Sequence, residues 1–301
     1  MKKRKHIELF DVCNTAFMLL MLLIIIYPLY YTVIASVSSA NAVAGGDVVW
    51  KPVGFTWAAY EHVFTYKPIW VGYANTIYYT VLGTIYNLVL TIPAAYALSK
   101  KNLPCRNFIM TLFLITMYFG GGMVPAYLQI KNMGLLNSRI VLIILGGVSV
   151  YNLIVTRTYF SSSISESLYE AADIDGAGEF RKFVSIAIPL AKPIIAVMLL
   201  YYAVSRWNGY FDALLYVSDR ELQPLQLILR RVLILNESAV NAALASNTAS
   251  VEELMDAVKR SELAYIVKYA VVFVASAPLL IAYPFVQKYF VKGVMIGAVK
   301  E

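Results

Sequence analysis

The sequence predicts an all-α protein that crosses a membrane six times. Three observations support this: 60% of the 301 residues are hydrophobic, only 14% are charged, and the apolar residues fall in six long runs. Soluble domains are about 45–50% apolar and about 25% charged, so this composition departs in the direction that a lipid bilayer favours. It argues against a soluble enzyme, a disordered chain, a disulfide scaffold and a nucleic-acid-binding module.

Each apolar run is long enough to cross a bilayer as a helix, because about 20 residues at about 1.5 Å rise span about 30 Å of hydrocarbon. The first run follows a basic start (residues 2–5) that resembles a signal peptide, but a signal core has only about 7–15 apolar residues. This run is longer, so we expect a retained helix. The predicted spans are Val12–Val37, Ile69–Ala97, Phe108–Leu128, Ile140–Phe160, Ile188–Val217 and Leu263–Phe290.

The distribution of Lys and Arg predicts the orientation, since basic residues accumulate in cytoplasmic connections. The connections on one face are 1–11, 99–107, 157–192 and 288–301, which contain 14 basic residues against 10 on the other face. The first face is therefore expected to be cytoplasmic, with both termini and Cys105 inside.

Two connections on the opposite face, 39–68 and 218–262, are long. The second is predicted to be an extracytoplasmic loop within a single transmembrane domain that covers 1–301. Its residues 225–233 have the spacing of a short amphipathic helix. Residues 250–253 have the pattern of a second helix start.

The third predicted span contains Gly120, Gly121 and Gly122, followed by Pro125. Glycine and proline are tolerated in membrane helices where neighbours or water satisfy the backbone. Two interpretations stay open: close helix packing near the membrane end, or a broken helix beside a translocation path.

The connection 166–188, between the fourth and fifth spans, predicts a helix–turn–helix outside the bilayer. Ser167 and Glu170 form the S-x-x-E pattern of a capping box, which predicts a helix start. Gly176 predicts its end, because glycine adopts the left-handed conformation at little cost. Residues 177–188 then form a second short helix. Such an element is either a knob that docks into a partner's groove or an amphipathic loop on the headgroups.

Pro189 and Pro193 mark the predicted start of the fifth span, where a missing amide donor is tolerated. The helix–turn–helix is thereby tied directly to a membrane helix.

Three stretches resemble one protein family, the permeases of ABC importers. The run 170–177, Glu-Ala-Ala-Asp-Ile-Asp-Gly-Ala, with the Phe, Ile and Pro-Leu that follow it, resembles the family's cytoplasmic loop signature, the EAA motif. Arg206–Leu214 and Tyr289–Lys300 resemble the carbohydrate-uptake branch. Within that branch the chain is similar to the second permease subunit of maltose importers, and most of all to polysaccharide and oligosaccharide permeases.

The resemblance implies a type I ABC importer permease fold with a cytoplasmic coupling helix, in a multi-pass protein of a bacterial cell membrane. It implies a heterodimer with a second, homologous permease, two copies of a cytoplasmic ATPase that bind ATP and Mg, and an extracytoplasmic sugar-binding protein. The tail 297–301 is expected to touch the ATPase. Carried over by position, the ATPase-coupling residues are Glu170, Ala171, Ala172, Asp175 and Gly176.

The residues give no support for catalysis by this chain. The sequence has no G-x-x-x-x-G-K-[ST] phosphate loop, and its two histidines, His6 and His62, lie outside the predicted spans. Cys13 and Cys105 lack the spacing of a zinc site. We therefore expect no catalytic residue, no metal and no cofactor in this chain, which is not an enzyme by itself.

A candidate sugar path follows from the polar and aromatic residues of the spans. Polar residues inside a membrane are costly and usually face a cavity or another helix. Arg206 and Asp212 are interpreted as neutralising neighbouring groups. Helix packing is the alternative role for each path candidate, and the candidates are Trp207, Asn208, Tyr151, Asn152 and Tyr118.

The leading interpretation is a permease subunit of an ATP-driven carbohydrate importer, and the main alternative is an ion-coupled secondary sugar transporter. Secondary transporters commonly show internal repeats and intramembrane carboxylates, whereas the predicted span interiors contain only Asp212 and no repeat is visible. A third class, an intramembrane enzyme, needs a nucleophile–base pair or a metal cluster within the bilayer.

Overall fold

The computed structural model describes residues 9–232, 266–281 and 283–284, and the regular elements in these ranges are all helical. The chain forms two compact units, Met1–Lys67 with Leu229–Ala277 and Pro68–Ile228 with Pro278–Glu301. The tail 297–301 and the predicted helix start at 250–253 lie outside the described residues. The single domain over 1–301 stays a prediction.

The first unit begins with α1 (Leu9–Ser36), followed by the short helices α2 (Ala40–Gly45) and α3 (Ala58–Thr65). Only 6% of the most apolar window of α1 is buried, so its surface suits contact with lipid. The segment after α1 folds back on the end of that helix, because the Tyr30 hydroxyl donates a hydrogen bond to the carbonyl oxygen of Trp50 (2.5 Å).

The second unit is organised along α4, a helix of 33 residues. Its helices pack on α4 through two apolar cores, one around Leu153, Phe160 and Met198 and the other around Tyr79 and Val141. In chain order the helices are α4 (Lys67–Ser99), α5 (Arg106–Tyr118), α6 (Met123–Asn132), α7 (Arg139–Ile144), α8 (Val150–Ser163), α9 (Glu166–Ile174), α10 (Glu179–Lys182), a π-helical turn (Phe183–Ala187), α11 (Ile188–Leu190), α12 (Lys192–Asn208) and α13 (Phe211–Tyr216).

Helix α14 begins at residue 225, as the amphipathic pattern predicts, and is described to residue 232. Its start lies against α4, where the backbone N–H of Leu225 donates to Thr76 Oγ1 (2.8 Å). Gly72 permits this approach, because a Cβ at that position would lie 3.0 Å from the Leu225 Cα and 2.6 Å from a methyl group of Ile228.

Two helices in the described part of the chain, α1 and α4, are long and apolar enough to cross a membrane. Two bent pairs raise the number to four if each is one span: α5 with α6, bent by 110°, and Glu179–Leu190 with α12, bent by 79°. The predicted sixth span is described only as the apolar helix α15 (Ile266–Ile281).

The predicted helix bounds of the third, fourth and fifth spans are wrong, because each is interrupted. The third breaks at the glycine run, where Gly122 has φ of +87°; the break agrees with the broken-helix interpretation, and its place beside a translocation path stays a prediction. The fourth consists of α7 and α8, separated by a stretch in which Gly146 has φ of +65°. The fifth starts at Lys192 and stops at Asn208, before Gly209 and α13.

Candidate functional site

Two of the helix breaks meet at a cavity of about 480 Å³ in the second unit. Gly146 and Ser149, between α7 and α8, line one part of its wall, and Gly209 and Tyr210, between α12 and α13, line another. Irregular backbone at membrane depth is tolerated only where it is buried in protein or lines a water-filled cavity. This cavity is therefore the place in the second unit that best suits a polar solute.

Asn87, from the middle of α4, holds the open backbone between α7 and α8. It is fully buried, and its Nδ2 donates to the carbonyl oxygens of Gly146 and Gly147, both at 2.7 Å. Tyr202 supports the same stretch, since its hydroxyl accepts a hydrogen bond from the Ser149 N–H (3.3 Å) and pairs with Thr91 Oγ1 (2.7 Å).

Arg206 completes this support from α12. Its Nε donates to Asn87 Oδ1 (3.0 Å), and its two terminal nitrogens donate to the carbonyl oxygens of Leu142 (2.8 Å) and Ile143 (3.0 Å) at the end of α7. A cation at a helix C-terminus is favoured by the helix dipole. Gly83 leaves room for it, because a Cβ there would lie 2.8 Å from the Arg206 Nε.

Arg206 and Asp212 line the same cavity and attract each other electrostatically, in line with the interpretation that they neutralise neighbouring groups, but they form no close ion pair. Among the described residues, no carboxylate oxygen lies within 4 Å of its guanidinium group. An arginine has five N–H donors, and three of them bond to Asn87 and the carbonyls of α7. Arg206 lines the cavity with two donors that these bonds leave available, and Asp212 lines the same cavity.

The structure brings two of the five predicted path residues, Asn208 and Asn152, to the cavity wall. Trp207 lies outside that wall: it is 5% exposed and packs edge-on against Tyr73, with ring centroids 6.1 Å apart. Tyr118 and Tyr151 are largely exposed away from the cavity. A contact of any of the five with sugar stays a prediction.

Sequence reasoning missed Asn87 and Tyr202 as residues that shape the cavity. The available signal was their polarity within predicted spans, since intramembrane polar groups mark cavities and helix contacts. Many other residues of the predicted spans are also polar, so polarity alone does not distinguish Asn87 and Tyr202 from them.

The predicted coupling element is helix α9, which ends as predicted but starts earlier. Gly176 has φ of +72°, and the N–H groups of Gly176 and Ala177 donate to the carbonyl oxygens of Asp173 (3.0 Å) and Ala172 (2.9 Å). These two bonds form a Schellman motif. The predicted capping box is wrong, because Ser165 precedes the helix and its hydroxyl pairs with that of Ser167 (2.8 Å).

Of the five predicted coupling residues, four are exposed and Ala172 is buried. Ala172 therefore faces the protein's own interior, whereas Glu170, Ala171, Asp175 and Gly176 are open to a partner. Ile174 and Phe180, which are not among the five predicted coupling residues, expose 89% and 79% of their surfaces on the same loop. Exposed apolar side chains on one loop are typical of a surface that binds another protein.

A cleft of about 890 Å³ lies beside α9, between the connection from α4 to α5 and the end of α8. Lys100 lines it, with its Nζ 3.1 Å from the centroid of the Tyr169 ring. Burial lowers the pKa of Lys100 and raises the pKa of the Tyr169 hydroxyl. Lys182 also lines the cleft, and hydrogen bonds, first to Asp173 and then to Glu179, raise its pKa.

Comparison with known proteins identifies the family. Residues 68–296 match the family described as "Binding-protein-dependent transport system inner membrane component". The chain belongs to this family. The whole chain is 37% identical to Protein LplC of Bacillus subtilis (strain 168), covering 98% of that protein.

Two further comparisons concern transporters of acidic polysaccharides. The permease is 34% identical to "Polygalacturonan/rhamnogalacturonan transport system permease protein YtcP" of Bacillus subtilis (strain 168), over 97% of this chain and 99% of that protein. It is 35% identical, with a TM-score of 0.81, to a chain in the crystal structure of a bacterial ABC transporter involved in the import of alginate, over 96% of this chain and 99% of that one.

These findings confirm the all-α importer fold and the predicted function. The permease is a transmembrane subunit of an ATP-driven importer for carbohydrates, and the secondary-transporter alternative is excluded. The family is a transport family rather than an enzyme family. The absence of catalytic, metal and cofactor sites from the chain stays a prediction.

Proposed function

We propose that this permease carries oligosaccharides of uronic acids, and that the cavity where α7–α8 and α12–α13 are interrupted is part of the solute path. The observation that carries the proposal is the convergence of two helix breaks on one polar cavity. Breaks of this kind are costly in lipid and are typical of the substrate sites of membrane transporters.

The charges around the cavity fit an acidic sugar. Arg206 supplies a cation with available N–H donors, and arginine pairs well with carboxylates. Helix α8, whose first turn begins after Ser149, presents its positive N-terminal end at the same cavity. Asp212 and Asn208 offer acceptors for sugar hydroxyls. The polymers named for two of the similar proteins, polygalacturonan/rhamnogalacturonan and alginate, support the same substrate class.

We infer the remaining assembly from membership of this family. The permease pairs with a second, homologous permease and with two copies of a cytoplasmic ABC ATPase, which binds ATP and Mg. An extracytoplasmic binding protein delivers the sugar. Both termini face the cytoplasm of a bacterial cell, as the 14 basic residues of that face indicate. Glu170, Ala171, Asp175 and Gly176 contact the ATPase, and Ala172 supports the loop from within.

The test is uptake into proteoliposomes that contain the permease with its co-encoded partner permease, ATPase and binding protein. Labelled trigalacturonate and neutral maltotriose are compared. We expect wild type to import trigalacturonate at least about tenfold better. Arg206→Gln should raise the concentration for half-maximal trigalacturonate uptake by roughly tenfold or more, because a hydrogen bond to a charged group is worth about 1.5–3 kcal/mol.

Arg139→Gln is the matched control, since Arg139 is exposed at the start of α7 and lies over the Tyr78 ring rather than in the cavity wall. Asn208→Ala removes a cavity group whose Nδ2, within the described ranges, bonds to the Val204 carbonyl oxygen of its own helix, so it tests the path without loosening α7. Equal import of both sugars by wild type, or unchanged uptake by Arg206→Gln and Asn208→Ala, would show the proposal to be wrong.

A further inference from the structure

The coupling helix α9 has a contact with the membrane helices that is separate from its chain connection to α12. The chain connection runs through α10, the π-helical turn and α11, and then bends by 79° at the start of α12. A connection that is bent and contains a π-helical turn transmits force less directly than a straight, regular helix. The side chains packed under α9 provide a shorter route.

Lys182 lies at the base of this route. It is only 4% exposed, and its Nζ is paired with the carboxylates of Asp173, in α9, and Glu179, in α10 (2.6 Å to Glu179). Lysine is rarely buried unless it is paired in this way. One ammonium group therefore joins the last turn of α9 to the first residue of α10.

Tyr96, near the end of α4, contacts α9, α10 and the π-helical turn. Its ring centroid lies 6.1 Å from that of Tyr169 in α9, and 4.9 Å from that of Phe183 in the π-helical turn. Its hydroxyl donates to the Glu179 Oε2 (3.4 Å). Lys100, one residue beyond α4, covers the Tyr169 ring at 3.1 Å and the Tyr96 ring at 4.7 Å.

Helix α4 leads from this cluster to the solute cavity. Asn87 lies nine residues before Tyr96, about 14 Å along an α-helix, and holds the open backbone between α7 and α8. Thr76 and Tyr79, farther along α4, also line the cavity.

We propose that Lys182 and Tyr96 are positioning residues that fasten α9 to the end of α4, so that movement of α9 is transferred along α4 to the cavity. The inference rests on the proposed docking of the ATPase to α9. Lys182 holds α9 and α10 as one body, and Tyr96 joins that body to α4. The Lys182 ammonium is buried while both carboxylates are largely exposed, so the two pairs hold α9 and α10 together around a cation that would otherwise be buried without a partner.

The experiment is hydrogen–deuterium exchange on the complete transporter in nanodiscs, without nucleotide and after trapping with ATP and vanadate. No sugar is added, so a wrong assignment of the substrate leaves this result unaffected. In wild type, trapping should change exchange both in 166–178, which holds α9, and in 94–103, which holds the end of α4. In Lys182→Met the change in 166–178 should persist, and the change in 94–103 should be lost.

Two control variants distinguish a loss of movement transfer from general damage to the fold. Lys182→Arg keeps the charge and should restore the change in 94–103. Lys101→Met removes an exposed pair between the same regions, Lys101 with Glu166 (2.6 Å), and should behave as wild type. The inference is overturned if Lys182→Met matches wild type in 94–103, or if wild type shows no change there on trapping.

A second variant covers the case in which Lys182→Met does not assemble with the ATPase. Tyr96→Phe keeps the ring contacts with Tyr169 and Phe183 and removes only the hydroxyl that donates to Glu179. It should retain the ATPase in pull-downs and reduce the trapped change in 94–103. Retention of the full change in that variant would contradict the inference. If the wild-type permease itself does not retain the ATPase in pull-downs, that result would instead contradict the docking role of α9.

Discussion

Thr76 and Thr84 are two buried threonines of α4 that differ in one hydrogen bond, and they provide a test of how α14 is anchored. Thr76 is 1% exposed and its Oγ1 accepts from the backbone N–H of Leu225. Thr84 is 6% exposed, and its hydroxyl has no hydrogen-bond partner among the described residues. Replacing each by valine keeps the branched shape and removes only the hydroxyl.

The expected effects of the two variants have different sizes and directions. Thr76→Val leaves a buried N–H of Leu225 unpaired at the start of α14, which costs about 1–3 kcal/mol in soluble proteins. Hydrogen bonds between membrane helices average about 0.6 kcal/mol and reach about 1.7 kcal/mol, so we expect a loss of about 1–2 kcal/mol. Thr84→Val removes an unpaired buried hydroxyl and should leave stability unchanged or raise it, because burying an unbonded polar group is unfavourable.

The assay is reversible unfolding of the detergent-solubilised permease by titration with SDS, followed by circular dichroism. Thr76→Val should unfold at lower SDS fraction than wild type, and Thr84→Val at the same or higher fraction. Equal destabilisation by both variants would mean that the hydroxyls contribute through packing and not through the bond to Leu225, and the reasoning would fail.

Three further predictions concern the loop and the orientation. Gly176→Val should destabilise the loop by about 1 kcal/mol or more, because φ is +72° there, and ATPase pull-down should weaken without loss of membrane insertion. Acetic anhydride labelling across pH should show Lys100 losing its proton below the ordinary lysine range, because burial lowers its pKa. Lys182 should lose its proton above that range, because hydrogen bonds to Asp173 and Glu179 raise its pKa. The reverse order of the two lysines would contradict the arrangement around Tyr169. Cys105, in a Cys13→Ser chain, should react with an impermeant thiol reagent only after cells are opened, and ready reaction in intact cells would reverse the orientation.

The features that the sequence predicted well are local ones. The length and apolar character of α1 and α4 follow from consecutive residues, and the stop at Gly176 follows from the conformational freedom of one glycine. The start of α14 at residue 225 follows from the spacing of its apolar side chains. The loop motif coincides with one helix, Glu166–Ile174, because its residues are contiguous in the chain; its role in coupling stays a prediction.

The features that the sequence did not predict depend on contacts between distant residues. Whether a glycine breaks a helix is decided by what satisfies the freed carbonyls, and for Gly146 that group is Asn87, 59 positions away. The partners of Arg206 at the end of α7 lie more than 60 positions away. The inward direction of Ala172 depends on how α9 is packed, so a variant such as Ala172→Trp strains the permease's own interior rather than a partner's groove.

The π-helical turn between α10 and α11 carries a consequence for how this loop tolerates changes in length. A π turn accommodates one residue more than an α-helical turn, and one residue corresponds to about 100° of rotation around a helix. Deleting a single residue within Phe183–Ala187 would therefore restore regular α-helix and rotate everything before it by about 100° relative to α12. Insertions and deletions at this point therefore change the direction in which α9 points around the axis of α12, without altering the sequence of α9. The length of this segment sets the orientation of the loop more than its distance from α12.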